Sequence, residues 1–436
     1  MHDRAEDLQD DEPPAARLQR LLAAAALIAT VVAGTGSAHA EPQRPIVTTL
    51  GWTTDVDAFV QVDAVPYSQH SLDEVDPGGS GAPLNEESIL VRRGFFRIEA
   101  TRDDYFAELE LDGNTVKGPA ARIVTSQVGW QYGPRPDPLV RVRGGLLLIP
   151  FGAQVPTNAR YRDFMEQPTF LRALFPGDAD AGVSADGAYG LVRWSVSAMN
   201  GAPVADAQWQ GRDPVSSYDL MGRLGTDIEL PFRGRFVAGV SALTGTGLHP
   251  GTPPTKDTIQ WVDENMDGLI QVTELMDVPG SPGEPSQQFK RDALDLDATW
   301  QWCLCTLGHG MLQFEGAIAK NLDRGVIYAD PIARSRDVRE LGFSLALEQE
   351  LGPWALAGIR YDRYDADRDA AERDGVATVY THQVFSTLSV MAAAKWKTAR
   401  LTAQYDHATN PFGRSDSGAP TTERADRVTL RGQVEF

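Results

Sequence analysis

The chain has 436 residues, with 60 acids against 40 lysines and arginines, and its net charge of -20 disfavours any partner built on nucleic acid phosphate. Its two cysteines, Cys303 and Cys305, exclude a disulfide scaffold and leave at most one local bridge. Abundant glycine, scarce lysine and tryptophan and tyrosine spread along the whole chain suit turns and membrane interfaces.

The first predicted element is an export signal. Arg17 and Arg20 precede an apolar run from Leu21 to Ala33, and Ala38-His39-Ala40 supplies the small-x-small pattern of a signal peptidase site. A cleaved signal peptide is therefore expected over residues 1–40, and its loss takes six acids and three bases, leaving a net charge of -17. The polar, acidic stretch before Arg17 is long for a signal and leaves room for a start downstream of Met1. A single anchoring helix is the weaker alternative, because the run is short for a span of about 20 residues. Residues 41–54 follow as a short periplasmic segment, and the predicted barrel occupies 55–436.

Beyond the signal, no segment is apolar enough for a spanning helix, and period-two alternation takes over. Tyr105 to Asp112 alternates with acids, and Leu139 to Arg143 alternates with arginines. In chain order, strands are expected near 55–65, 89–100, 105–112, 122–132, 139–143, 189–200, 217–230, 234–244, 291–303, 310–320, 338–350, 353–364, 384–396, 399–407 and 427–436, punctuated by proline and glycine. The connections alternate as well. Short turns at 101–104, 231–234, 351–353 and 397–399 interleave with long polar loops at 66–88, 201–216, 245–290, 321–337, 365–383 and 408–426. Short periplasmic turns and long extracellular loops are the pattern of a transmembrane antiparallel β-barrel, an all-β fold. Trp130, Tyr132, Trp194, Trp354, Tyr361, Trp396 and Tyr405 are expected near strand ends, at the membrane interfaces.

The last strand carries Val428, Leu430, Gly432, Val434 and Phe436 on one face and Arg427, Thr429, Arg431, Gln433 and Glu435 on the other. A lipid-facing row ending in a C-terminal phenylalanine resembles the signal read by the outer-membrane barrel assembly machinery. With Phe436 periplasmic and one weak strand admitted at 178–186, the count is about sixteen and every long loop falls outside.

The stretch Leu146 to Gly201 contains a strand ending in Pro150-Phe151-Gly152, then Phe164-Met165-Glu166, the run from Arg172 to Gly177, and Asn200-Gly201. Together with Arg92, Arg93 and the strand Ala107 to Gly113, it resembles the phosphate-selective porin O and P family. The likeness is dense over 89–201 and mostly architectural over 217–436. It implies a homotrimeric, sixteen-stranded porin in the outer membrane, in which the loop after the fifth strand folds into the lumen and narrows it.

Selectivity in such a channel depends on the charges at its narrowest point. Loop 150–178 is the expected constriction, with Arg160, Arg162 and Arg172 as its cations, and alternation adds Arg93, Arg97, Arg141, Arg143, Arg193 and Arg431 on the lumen side of the strands. Arginine offers bidentate donors to phosphate or carboxylate, so clustered arginines suit anions. The same face also carries Glu99, Glu108, Glu110, Asp112, Asp295, Asp297, Glu348 and Glu350, which oppose that preference, and a bracing role for the arginines is the competing reading. The acidic balance and the six lysines left after residue 40 depart from phosphate-selective members, so a general porin for small hydrophilic solutes fits equally well.

Within loop 245–290, the stretch Asp263 to Glu274 matches a calcium loop of the EF-hand type, with Gly268 at the sharp turn. Asp263, Asn265, Asp267, the Leu269 carbonyl, Gln271 and Glu274 would supply the oxygens calcium requires. An acidic surface loop is the alternative, since flanking helices are lacking. Cys303, Cys305 and His309 are too few for a structural zinc site, and a local disulfide or two free thiols are the remaining readings. No nucleophile-elbow spacing marks a hydrolase, and no enzymatic role is expected. The two functions that remain are a passive porin for small solutes or ions and an exported, calcium-stiffened barrel or adhesin acting as a surface interaction protein.

Overall fold

An alternating strand must bury one face and wet the other, and a closed barrel does both without leaving an edge unpaired. The computed structural model describes residues 47–68, 87–135, 137–201, 218–231, 234–304, 306–374, 377–380, 383–414 and 420–436. The expected signal peptide, most of loops 66–88 and 201–216, and Cys305 lie outside the described residues.

The barrel wall has sixteen strands. They are β1 (Trp52–Ser68), β2 (Ser88–Arg102), β3 (Tyr105–Asn114), β4 (Ala120–Tyr132), β5 (Val140–Leu148), β6 (Ala179–Tyr189), β7 (Val192–Met199) and β8 (Asp219–Leu230). The second half comprises β9 (Gly234–His249), β10 (Gln287–Leu304), β11 (Gly308–Lys320), β12 (Arg339–Glu350), β13 (Ala355–Asp365), β14 (Val384–Trp396), β15 (Ala399–Arg414) and β16 (Arg427–Glu435). Each pairs antiparallel with its sequence neighbour, and β16 pairs with β1 to close the ring, with Gln61 opposite Gln433 and Asp63 opposite Arg431. All sixteen anticipated stretches are strands, including the weak one at 178–186. The wall begins at Trp52 rather than residue 55, and Val47–Thr49 folds back onto its first residues.

One rim carries the connections 103–104, 133–139, 190–191, 231–233, 305–307, 351–354 and 397–398, and the other carries all the long loops. The alternation has one exception on the long-loop rim, where 115–119 is a tight link between β3 and β4. Loop 245–290 is narrower than expected, 250–286, because β9 runs to His249 and β10 starts at Gln287; it carries a small hairpin pairing Thr258–Trp261 with Leu275–Val278.

Outward positions are exposed and apolar around the ring, for example Val60, Leu111, Val142, Leu224, Leu296 and Val390. Such a band suits hydrocarbon, not water. Tyr105, Trp130, Tyr132, Tyr189, Trp354 and Trp396 stand exposed at strand ends along the short-turn rim, where amphipathic rings sit well between lipid and water. Tyr361 and Tyr405 do not join them; they fall in mid-strand.

The lumen is not polar throughout, contrary to what alternation implies. Towards the long-loop rim, Leu147, Met199, Met221, Leu243, Ala293 and Ala317 point inward and form one buried apolar cluster with Phe151, Phe170, Leu171 and Leu174 of the loop after β5. Part of the barrel interior is therefore a packed protein core, which leaves a smaller space for water.

Candidate channel constriction

The loop after β5, residues 149–178, enters the lumen as expected, and polar wall residues hold it there. Gly152 N–H donates to Ser241 Oγ at 3.0 Å on β9, and the N–H groups of Ala153 and Gln154 donate to the Glu315 carboxylate on β11, each at 3.1 Å. Farther along, Met165 N–H donates to Gln404 Oε1 at 3.0 Å and Thr169 N–H to Asp362 Oδ1 at 3.2 Å. A short helix, α1 (Thr169–Leu174), then packs Phe170, Leu171 and Leu174 into the apolar cluster. The loop thus leaves β5, enters the lumen and is anchored in turn to β9, β11, β15 and β13.

Gly152 is the residue this path needs. Its φ is +65°, and an added Cβ would lie 2.1 Å from Glu315 Oε1, so an alanine there meets both strain and a clash. Gly152→Ala is expected to loosen the loop's first anchor, read as faster proteolysis within 149–178 while the barrel itself stays heat-resistant.

Of the three loop cations, two are engaged. Arg160 reaches Glu435 at 2.7 Å and Asp57 at 3.6 Å, and Arg162 bonds Asp178 at 2.8 Å and the Thr157 carbonyl at 2.7 Å. Arg172 on α1 is exposed, and among the described residues its side chain has one hydrogen bond, to Thr169 Oγ1 of the same helix. The wall cations are mostly engaged too. Arg97 is surrounded by Glu108 at 2.5 Å, Glu99 at 2.7 Å, Asp57 at 3.4 Å and Glu110 at 3.5 Å. Arg141 and Arg143 share Asp186 at 2.7 and 2.9 Å, and Arg93 faces Asp112 at 3.3 Å. Arg193 is not at the constriction: it sits at the short-turn rim, with Asp137 and Asp227 as partners.

Arg431 has a structural position the sequence only half revealed. It grips Asp63 through Nε at 2.7 Å and Nη2 at 2.8 Å, and donates from Nη1 to the Met165 carbonyl at 2.9 Å. One guanidinium thereby joins the barrel's closing seam to the infolded loop.

Sequence reading missed Arg92, Arg360 and Arg400 as wall contacts. Arg360 donates to the Glu166 carbonyl at 2.6 Å and lies 4.7 Å over the Phe164 ring. Arg400 binds Asp163 at 2.8 Å and the Arg162 carbonyl at 2.8 Å. Arg360 and Arg400 follow the inward parity of their strands, and that parity was the available signal. Arg92 has the wrong parity. It turns inward because the β1–β2 ladder slips there, Gln61 pairing with Arg93 and Val62 with Val91.

Two water-accessible cavities flank Tyr161, which is 66% exposed at the loop's tip. One, about 270 Å³, is bounded by Arg97, Arg141, Arg143 and Arg160 together with Glu108 and Glu110; the other, about 200 Å³, by Glu166, Glu348, Arg162 and Arg360. Both linings mix charges of either sign, so neither wall is a bare row of cations.

In the hairpin of loop 250–286, Asp263 accepts from Asp267 and Gly268 N–H, Asn265 from Asp267 N–H, and Asp267 from Leu269 N–H and the Gln271 side chain. Glu274 is buried against Trp261 Nε1, 3.0 Å away. Among the described residues, no three His, Cys, Asp or Glu side chains converge as a metal site. Cys303 forms no disulfide among the described residues.

No family model and no curated protein sequence matches the chain. Solved structures do match it in shape. The outer membrane channel DcaP of Acinetobacter baumannii superposes with a TM-score of 0.56 at 12% identity, covering 89% of this chain and 99% of that one. Pseudomonas putida OprB gives 0.53 at 10% identity, with 88% and 94% covered. The anion-selective porin from Comamonas acidovorans gives 0.52 at 12%, with 88% and 100% covered. The likeness of 89–201 to phosphate-selective porins thus has support at the level of the porin barrel, not of that particular family. The chain has the closed sixteen-stranded barrel fold of outer-membrane porins.

Proposed function

We propose that the protein is a non-enzymatic outer-membrane porin, through which small hydrophilic solutes and ions diffuse passively past the tip of loop 149–178. The observation that carries this reading is the loop itself: it is held inside a barrel with an apolar exterior by side chains of β9, β11, β13 and β15, and mixed-charge cavities remain on either side of Tyr161. The long loops face outward and Phe436 faces the periplasm in this reading, after export and insertion by the barrel assembly machinery, and the protein sits in lipid as a homotrimer.

The finer question is anion preference. Paired arginines present little net charge to a passing ion, so selectivity for phosphate has weak support and any anion preference is mild. Arg172, which has no carboxylate partner among the described residues, is the loop cation with most influence. Arg172→Gln is expected to lower chloride over potassium permeability, whereas Arg193→Gln at the short-turn rim leaves it unchanged; reversal potentials in a salt gradient read both. For the channel itself, liposomes carrying the protein should swell in small neutral solutes at rates that fall with solute size, and no swelling in any solute would reject the proposal.

Calcium at Asp263, Asn265, Asp267, Leu269, Gln271 and Glu274 belongs to the proposal on the strength of spacing. Binding requires Glu274 to leave Trp261, so millimolar calcium should change tryptophan fluorescence and slow proteolysis of 250–286. An identical response in Asp263→Ala or Glu274→Ala would exclude the site. The interaction-protein reading has one observation in its favour, the exposed Met266, Ile270 and Val272 around that tip. Silent insertions into a bilayer would favour it over a porin.

A further inference from the structure

We propose that the arginines around the infolded loop form an anion-binding site that the protein's own Glu166 occupies, so that this carboxylate, rather than the number of arginines, sets the channel's charge preference. The inference rests on the porin reading above.

Glu166 Oε1 lies 2.6 Å from Arg92 and 3.4 Å from Arg431, in the manner of a bound carboxylate ligand. Arg360 holds the Glu166 backbone carbonyl at 2.6 Å, and Arg431 the carbonyl of Met165 at 2.9 Å, so the residue is presented by its main chain as well as by its charge. About a quarter of its side chain stays open to the cavity it lines, which places the site in reach of a passing solute. The local field is strongly cationic: enclosure works against ionisation of Glu166, yet Arg92, Arg431, Arg172 and Arg93 outweigh it and hold the carboxyl at about 2.

The pairing of the other charges shows what Glu166 neutralises. Arg431 has Asp63 and Arg93 has Asp112, and both pairs persist without Glu166. Arg92 has Glu166 as its one carboxylate among the described residues, and Arg172 has none. Removing the Glu166 charge therefore leaves Arg92, like Arg172, without a carboxylate, while Arg92 and Arg431 still flank the vacated carboxylate position. Acetate-like carboxylates and inorganic phosphate are the classes that fit such planar donors.

The test uses the full-length mature protein in planar bilayers, wild type beside Glu166→Gln and Arg92→Gln, with heat-modifiable gel migration as the check on folding. Glu166→Gln is expected to raise the chloride-to-potassium permeability ratio about two-fold or more, and to make the chloride current sensitive to millimolar inorganic phosphate, to which the wild type is insensitive. Arg92→Gln, which leaves Glu166 in excess, should move the ratio the opposite way. An unchanged ratio in folded Glu166→Gln, or larger conductance with unchanged ratio because the loop has only shifted, overturns the inference while leaving a porin. A shift in the same direction for both variants also overturns it. Silence of the wild type and of both variants would instead remove the channel reading beneath it.

Discussion

Replacing Asp63 with asparagine is expected to cost about 3–5 kcal/mol, because it strips the charge partner from a buried arginine. Asp63 and Arg431 are 1% and 5% exposed and sit opposite each other on β1 and β16, the two strands whose pairing closes the barrel. With the amide in place of the carboxylate, Arg431 keeps one acceptor oxygen at position 63, the Met165 carbonyl and a 3.4 Å approach to Glu166, but loses its close charge partner. The loss should appear as a lower unfolding temperature of the folded form on heat-modifiable gels. Adding Arg431→Gln to Asp63→Asn should recover part of it, since no buried charge is then left unmatched. Equal stability of Asp63→Asn and wild type would show that the seam holds without this pair.

The second large effect is expected from Phe170→Ala. Phe170 is fully buried on α1, close against Gly342 of β12, at the centre of the apolar cluster that binds loop 149–178 to the wall. Truncating a buried phenylalanine typically costs about 3–5 kcal/mol, in lost transfer energy and in the cavity left behind. Here the loss falls on the docking of the loop more than on the strand ladder, whose backbone hydrogen bonds are untouched. The expected phenotype is a channel with larger and noisier conductance in a barrel that still resists heat. A uniform drop in barrel stability with unchanged conductance would show that the cluster stabilises the wall and not the constriction.

The architecture was legible in the sequence because a barrel strand writes its two environments into successive residues. The row Val428 to Phe436 against Arg427 to Glu435 is enough to predict which face of β16 meets lipid, and the same parity placed Arg97, Arg141 and Arg431 inside. The infolded loop was legible through the Pro150-Phe151-Gly152 step. What parity cannot supply is cross-strand register. The four carboxylates around Arg97 come from β1, β2 and β3, and only pairing brings them together. Arg92 was lost for a related reason: the irregular β1–β2 register reverses its facing, and nothing in the local pattern announces the extra residue. The interior apolar cluster escaped because Leu147, Met199 and Leu243 read as interruptions of a polar face, whereas their partners Phe170 and Leu171 lie in a loop whose path the sequence does not give.

If solutes pass this barrel, the space left beside Tyr161 must be a continuous water path. The decisive measurement is single-molecule insertion of the mature protein into planar bilayers in 1 M potassium chloride, with Phe170→Ala alongside. Stepwise, voltage-independent openings of small unit conductance are expected, with larger steps in the variant once the loop is released. Correctly folded protein that inserts without current, in both forms, would show that no such path exists.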